Sequence, residues 1–258
     1  MARPIAARRL HEILESVEAA GSASVEELAA RFGVSRETIR RDLKALAAQG
    51  RLDVAHGGAL KRGVGDPPFA ERARENAEGK AAIGRAAAAI VEDGMVVLLD
   101  SGATTHAIAA ALAARPPKGV TVCATSLADA LTLVRAGVKV TMLGGEVDPD
   151  DEATVGLDVL AMLPRYRLDL AFVGVGGVTP EGDVTVFSRV AAETRAVMLD
   201  AARAGYLVAD HAKFGRAGPA RIPWTRPPAA LLVDVAPPPK LKAALRAKGV
   251  ACLVADGS

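Results

Sequence analysis

Seven short apolar runs punctuate the chain from residue 95 onward: MVVLLD (95–100), VTVCATS (120–126), KVTMLGG (139–145), LDLAFVGVGG (168–177), GYLVAD (205–210), AALLVDVA (229–236) and VACLVAD (250–256). Runs this short, rich in Val and Leu, read as strands buried on both faces. Ala-rich stretches such as HAIAAALAA and VAAETRAVMLDAA lie between most of them and have the propensity of helices. Strand and helix in alternation imply a mainly parallel sheet covered on both sides, with ligands bound beyond the carboxyl ends of its strands. Only 3% of the residues are aromatic although half are hydrophobic, so Ala, Val and Leu must fill the core. No internal repeat is present.

The first sixty residues follow a different plan. Leu10, Ile13, Leu14 and Val17 recur at helical spacing, and Gly21 stops that helix. Ser24 with Glu27 three residues on is a capping box that starts a second helix, with Val25, Leu28 and Phe32 on its apolar side. Gly33 makes a turn. Ser35 then caps a third helix whose Ile39, Leu43 and Leu46 face inward. After Gly50, RLDVAHGGALKR has two short arms around Gly57 and Gly58, the pattern of a β-hairpin. Three helices and a hairpin in this order form a winged helix-turn-helix layout.

The third helix has a chemistry of its own. Net charge over the chain is only +2, so a basic footprint has to be local. Residues 35 to 62 hold seven lysines and arginines against three acids. Arg40, Arg41 and Lys44 fall on the flank and back of the helix, away from its apolar arc. Ser35, Arg36 and Thr38 stand at its N-terminal end, where backbone N–H groups favour phosphate. A helix that enters the major groove of DNA needs this division, apolar behind and hydroxyl and guanidinium in front. A solvated helix pairing its charges with Glu37 and Asp42 is the alternative for such a helix taken alone.

ELAARFGVSRETIRRDLKALAAQGRLDVAHGGAL resembles the DNA-binding head of DeoR-type bacterial transcription regulators, whose signature is a TIRRDL helix followed by a wing ending in HGGA. Residues 38–43 and 56–59 match it letter for letter, and the resemblance adds His56 to the DNA-facing set. Asp53, Val54 and Ala55 stand where members carry basic residues, which moves the wing's positive charge to Arg51, Lys61 and Arg62.

Beyond the head, KRGVGDPPFAERARE (61–75) reads as a linker for its glycines, adjacent prolines and charges. DSGATTH (100–106) then follows a strand and precedes a helix. Its small residues let N–H groups approach an anion, while Ser101, Thr104 and Thr105 add hydroxyls. Phosphate is the natural guest, although tight packing alone also produces such turns. ATSLADA (124–130) repeats the arrangement after the next strand. LGGEVDP (143–149) and FVGVGGV (172–178) supply glycine turns, and ADHAKFG (209–215) puts Asp210 and Lys213 at a strand end.

The second part is similar, over nearly its full length, to the sugar-phosphate-sensing domain of the same regulators, itself similar in fold to ribose-5-phosphate isomerase. The blocks that carry the resemblance are PFAERARENAEGKAAIGRAAAAIVEDGMVVLLDSGATT, LGGEVDP, DLAFVGVGG and ADHAKFG. The resemblance implies an effector-phosphate loop of Asp100, Ser101, Gly102, Ala103, Thr104 and Thr105. It adds Thr125 where members usually show Asn, and Glu193 and Arg195 where Glu and Lys are usual. Gly144, Gly145, Gly174 and Gly176 line the turns, and Asp210 with Lys213 closes the pocket. The expected fold is α/β: a winged helix-turn-helix in residues 1–60, a linker over 61–75, and a Rossmann-like parallel-sheet effector domain over 76–258.

An aldose–ketose isomerase is the alternative, and it needs a placed carboxylate base with polar partners for the enediolate. Where the related isomerases carry an acid-rich turn, this chain has VGVGG (173–177), and their lysine-glycine segment is missing from VFSRVAAET. A pocket without that chemistry is a sensor. The four histidines are scattered without metal-ligand spacing, no Cys-x-x-Cys occurs, and neither metal nor cofactor is expected. Cys123 and Cys252 lie in apolar runs and read as free thiols of a reducing compartment. With no signal peptide and no run of membrane-spanning length, a cytoplasmic protein is expected. The sequence thus predicts a repressor of carbohydrate or related catabolic genes. Its expected partners are operator DNA and a phosphorylated sugar or similar metabolite, and the resemblance implies a homodimer or homotetramer.

Overall fold

The computed structural model of the chain describes residues 6–20, 22–55, 58–61, 68–149 and 151–255 and has two compact units, the first of residues 1–66 with 187–189 and 218–220, the second of the remainder. The first unit opens with α1 (Ala6–Ala20), a short strand β1 (Ser22–Ser24), α2 (Val25–Phe32) and α3 (Arg36–Ala48). Ser24 Oγ accepts the Glu27 N–H at 3.1 Å and the Glu27 carboxylate accepts the Ser24 N–H at 3.2 Å, so the expected capping box is closed. Gly33 ends α2 in the left-handed conformation, and Ser35 caps α3 by accepting the Thr38 N–H at 3.2 Å. The faces assigned from periodicity meet: Ile13, Leu14, Val17, Val25, Leu28, Phe32, Ile39, Leu43 and Leu46 share one core with Leu52 and Ala59.

The expected hairpin forms as β2 (Leu52–Ala55) and β3 (Gly58–Lys61). Its sheet has a third strand that periodicity does not announce. β1 pairs with β3 in the order β1-β3-β2. Ser-Ala-Ser carries no apolar alternation, so nothing local marks a strand, and tertiary pairing makes it one. Gly58 permits the approach, because a Cβ there would lie 2.3 Å from the carbonyl oxygen of Ala23.

In the second unit the stretch read as a linker contains a helix, α4 (Phe69–Arg74). Adjacent prolines suggest a break, yet a proline just before a helix lacks only an N–H that the helix would not use. Pro68 occupies that N-cap position. The alternation then proceeds through α5 (Ala77–Ile90), β4 (Val96–Leu99), α6 (Ala103–Ala114), β5 (Thr121–Ala124), α7 (Leu127–Arg135) and β6 (Lys139–Met142). A hairpin of β7 (Glu146–Asp148) and β8 (Ala153–Val155) leads to α8 (Leu157–Met162) and β9 (Leu168–Gly174). The chain continues through β10 (Gly177–Val178), β11 (Val184–Val186), α9 (Arg189–Ala201), β12 (Ala202–Val208), β13 (Ala220–Arg221), β14 (Ala230–Val233), α10 (Pro239–Ala247) and β15 (Ala251–Val254).

All seven apolar runs enter one sheet of parallel pairs, ordered β15-β14-β12-β9-β4-β5-β6. Val97, Leu99, Val122, Leu170, Phe172, Val208 and Leu232 project into a core that also takes Ile83, Ile108 and Leu112 from the helices. β10, β11 and β13 make a small separate sheet. β7 and β10 lie in segments that read as glycine turns. Strand order reverses at the centre: from β4 the chain adds β5 and β6 on one side, then returns to place β9 on the other. The carboxyl ends of β4 and β9 therefore flank the crevice where ligands of such sheets bind.

Candidate functional site

On α3, Ile39, Asp42, Leu43 and Leu46 are buried, and Ser35, Arg36, Arg40, Arg41 and Lys44 are exposed, with Thr38 half-buried. Ser35 and Thr38 also join their hydroxyls at 2.9 Å, which holds both at the amino end of the helix. Arg36 pairs with Glu26 at 3.4 Å and Arg40 with Glu37 at 3.7 Å, each arginine side chain remaining more than half exposed. Pairs so open contribute little and yield to a better anion. Asp42 differs. It turns inward and accepts Arg9 Nε at 2.6 Å, both side chains below 10% exposure. Its carboxylate thus leaves the outer face, and the alternative of a charge-balanced solvated helix loses one of its two acids. Arg9 is a residue that sequence reasoning passes over. Its signal is an arginine four positions ahead of Ile13, on the edge of the apolar stripe. His56 lies outside the described residues, together with Gly57 and Arg62.

At the other site, β4 delivers Asp100 to the crevice and Gly102 turns the chain into α6 with φ 137°, a conformation other residues rarely adopt. Asp100 is buried. Its Oδ2 accepts Arg195 Nε at 2.9 Å and the Gly174 N–H at 3.1 Å, which joins three expected site residues across β4, β9 and α9. Burial pushes the Asp100 carboxyl above its ordinary value, against the opposing pull of the Arg195 guanidinium and the Ser101 and Gly174 N–H groups. Ser101, Ala103, Thr104 and Thr105 are buried around this turn, and the Thr105 hydroxyl donates to the Gly102 carbonyl at 2.9 Å. Thr125 follows β5 with its N–H on the Leu99 carbonyl, beside Asp100, and its Oγ1 is buried with no hydrogen-bond partner.

The remaining expected residues are more dispersed in role. The Gly144 N–H points at the Met162 sulfur at 3.0 Å, and Gly145 packs on the Val155 carbonyl. Gly176 is buried and donates its N–H to the Thr185 carbonyl in the small sheet at 2.8 Å. Glu193 is exposed on α9. Asp210 and Lys213 are both buried, and Lys80 of α5 brings its Nζ to 2.8 Å from Asp210 Oδ2. Lys80 goes unread in the sequence because a lysine in an Ala-rich helix looks like surface. His106, in the first turn of α6, bonds Asp129 of α7 through Nδ1 at 2.5 Å, which raises its basicity against the opposite effect of burial. Among the described residues no cluster of three His, Cys, Asp or Glu side chains could hold a metal ion, and no helix is long and apolar enough to cross a membrane. Cys123 and Cys252 are free thiols, and burial pushes the Cys123 thiol up to about 11.

A winged helix-turn-helix unit with a cationic outer helix, and a parallel α/β unit with a polar turn at its topological switch point, define a DNA-binding transcription regulator with a sensor unit. Family models agree on both parts. Residues 9–61 match the DeoR-like helix-turn-helix domain and residues 75–234 the DeoR C terminal sensor domain. The chain is 32% identical to the glycerol-3-phosphate regulon repressor of Escherichia coli K12 over 81% of its length and 83% of that protein's. It is 31% identical to the HTH-type transcriptional regulator IolR of Bacillus subtilis 168, with the same coverage. A solved D-ribose-5-phosphate isomerase in complex with phospho-erythronic acid aligns with 52% of each chain at 18% identity and a TM-score of 0.38. The chain belongs to the DeoR family of transcription regulators.

Proposed function

We propose that the protein is a repressor that docks α3 in the major groove of operator DNA and is controlled by a phosphorylated sugar or related phosphometabolite bound at the Asp100–Thr105 turn. The observation that carries the DNA-binding part is the sorting of charge on α3: Asp42 is drawn into the core by Arg9, while Arg36, Arg40, Arg41 and Lys44 stay outside. Arg40, Arg41 and Lys44 hold the backbone in this reading, and Ser35, Arg36 and Thr38 lie nearest the bases or adjacent phosphates. Helix-turn-helix regulators commonly read paired half-sites as symmetric oligomers, so the active form in this reading is a homodimer or homotetramer. The test is a salt titration of binding to a duplex from the protein's own promoter region. Arg41→Ala and Lys44→Ala should each reduce the slope of log affinity against log salt by about 0.9 for every phosphate left without its cation. Slopes equal to wild type in both would refute docking through α3.

The sensor reading is supported by the anion-friendly turn at the end of β4, by the match to the DeoR C terminal sensor domain and by the name of one relative, a glycerol-3-phosphate regulon repressor. Effector control requires unequal affinity for two conformations, since equal binding shifts nothing. We read the site as one that binds and does not catalyse. Proton transfer beside a carbonyl needs a carboxylate free to take the proton. Asp100 is engaged by Arg195 and Gly174, and Glu193 is exposed.

A further inference from the structure

α4 brings two side chains to the start of α6. Phe69 sets its ring edge-on to the His106 imidazole, centroids 5.7 Å apart. Three residues on, Arg72 is only 8% exposed, and its guanidinium carbon lies 6.0 Å from the Phe69 ring centroid. A methyl group placed on Gly102 would sit 3.9 Å from Arg72 Nη1, so the cation stands directly over the expected phosphate turn. Its Nη2 donates to Oδ1 of Asp151, which lies in the turn between β7 and β8 and is 38% exposed.

A tie between α4 and that turn would explain the pair but not its placement. Burying a guanidinium is costly, and Asp151, itself in partial contact with water, is one group that offsets the cost. Arg72 Nη1 is thus close to Gly102, at the turn whose N–H groups are read above as the anion's. At the end of β5, the strand next to β4, Thr125 is 1% exposed and its hydroxyl has no hydrogen-bond partner, a polar group that asks for a polar guest. Arginine's planar fork fits phosphate in two places and holds it more strongly than a neutral donor would.

We infer that Arg72 is a ligand of the effector's phosphate and that Asp151 takes the phosphate's place when no effector is bound. Binding exchanges one anion for the other on the same guanidinium and frees the turn between β7 and β8. This rests on the reading that the anion enters at Asp100–Thr105. That hairpin is pinned to the neighbouring strand end, with the Thr154 N–H on the Thr125 carbonyl at 2.8 Å and Ala153 bridged to Ser126, so its release is felt at the rim of the site.

The experiment is thermal denaturation of the full chain in increasing inorganic phosphate, against chloride at matched ionic strength. Wild type should be stabilised by phosphate through mass action. Arg72→Ala should need about 10- to 100-fold more phosphate for the same rise, Arg72→Lys an intermediate amount, and Asp151→Asn several-fold less, because its competing charge is gone. Hydrogen exchange at residues 151–153 should quicken when phosphate is added to wild type. Wild-type phosphate response in both Arg72 variants, or a weaker response in Asp151→Asn, overturns the inference while leaving the anion turn intact. Slower or unchanged exchange at 151–153 overturns the carboxylate exchange. No phosphate-specific rise in wild type removes both this inference and the reading beneath it. Should Arg72→Ala fail to fold by circular dichroism, Arg72→Lys and Asp151→Asn decide.

Discussion

A single carboxylate changes how the basic helix is to be understood. Counted along the chain, Asp42 offsets one of the arginines around it; in the fold it faces the opposite way, locked to Arg9. Both groups are buried, and each gives the other a counter-charge. Asp42→Asn is expected to destabilise the first unit by about 3–5 kcal/mol, because it leaves the Arg9 guanidinium buried without that carboxylate. The double change Arg9→Met with Asp42→Leu should cost much less, since neither charge is then buried. Chemical denaturation followed by helical circular dichroism checks this. Equal losses in the single and double variants would show that the pair contributes shape rather than charge. Asp100 and Arg195 make a similar pair in the second unit, but there Oδ2 also takes the Gly174 N–H, so the carboxylate ties two strand ends together.

At the scale of elements, local sequence signals decide where helices start and tertiary pairing decides the rest. Ser24 and Ser35 place the amino ends of α2 and α3 through side-chain oxygens on backbone N–H groups, and both positions are legible because capping depends on spacing alone. β1 is not legible. Its three residues become a strand because β3 lies close enough to pair, and that closeness depends on the missing side chain of Gly58. Gly58→Ala should therefore push β1 away, with faster amide exchange at 22–24 and a lowered melting temperature for the first unit. Exchange at wild-type rates would mean that the strand accommodates a methyl group by shifting elsewhere. α4 also escapes notice, since two prolines and several charges hide a six-residue helix whose inward side chains are an aromatic ring and a cation.

For the whole molecule the decisive fact is strand order. The alternating pattern announces seven parallel strands, but the reversal at β4 creates the crevice and assigns Asp100 and Gly174 to its two walls. Of the expected effector residues, Asp100, Gly174 and Arg195 meet there through hydrogen bonds, while Gly145 and Gly176 serve the packing of smaller sheets. A crevice of this kind with its central carboxylate occupied should bind without turnover. Purified protein is expected to be stabilised by at least one phosphorylated sugar or related metabolite and to leave aldose and ketose phosphates unconverted, as followed by proton exchange at the carbon beside the carbonyl. Measurable exchange that disappears in Glu193→Gln would restore the isomerase reading.

What the sequence by itself determined was local or periodic. It placed the helix caps, the apolar faces of α1 to α3, the seven strands and the glycine-hydroxyl turn after the first of them, because spacing along a chain directly sets which side chains share a face. It also carried the family, since the TIRRDL and DSGATT blocks are contiguous. What only the tertiary structure decided was which charges meet. Arg9 and Asp42 are 33 residues apart, Asp100 and Arg195 are 95, and Arg72 and Asp151 are 79. Coulomb attraction acts through space and is indifferent to sequence separation, so these pairs exist only once the chain has folded back on itself.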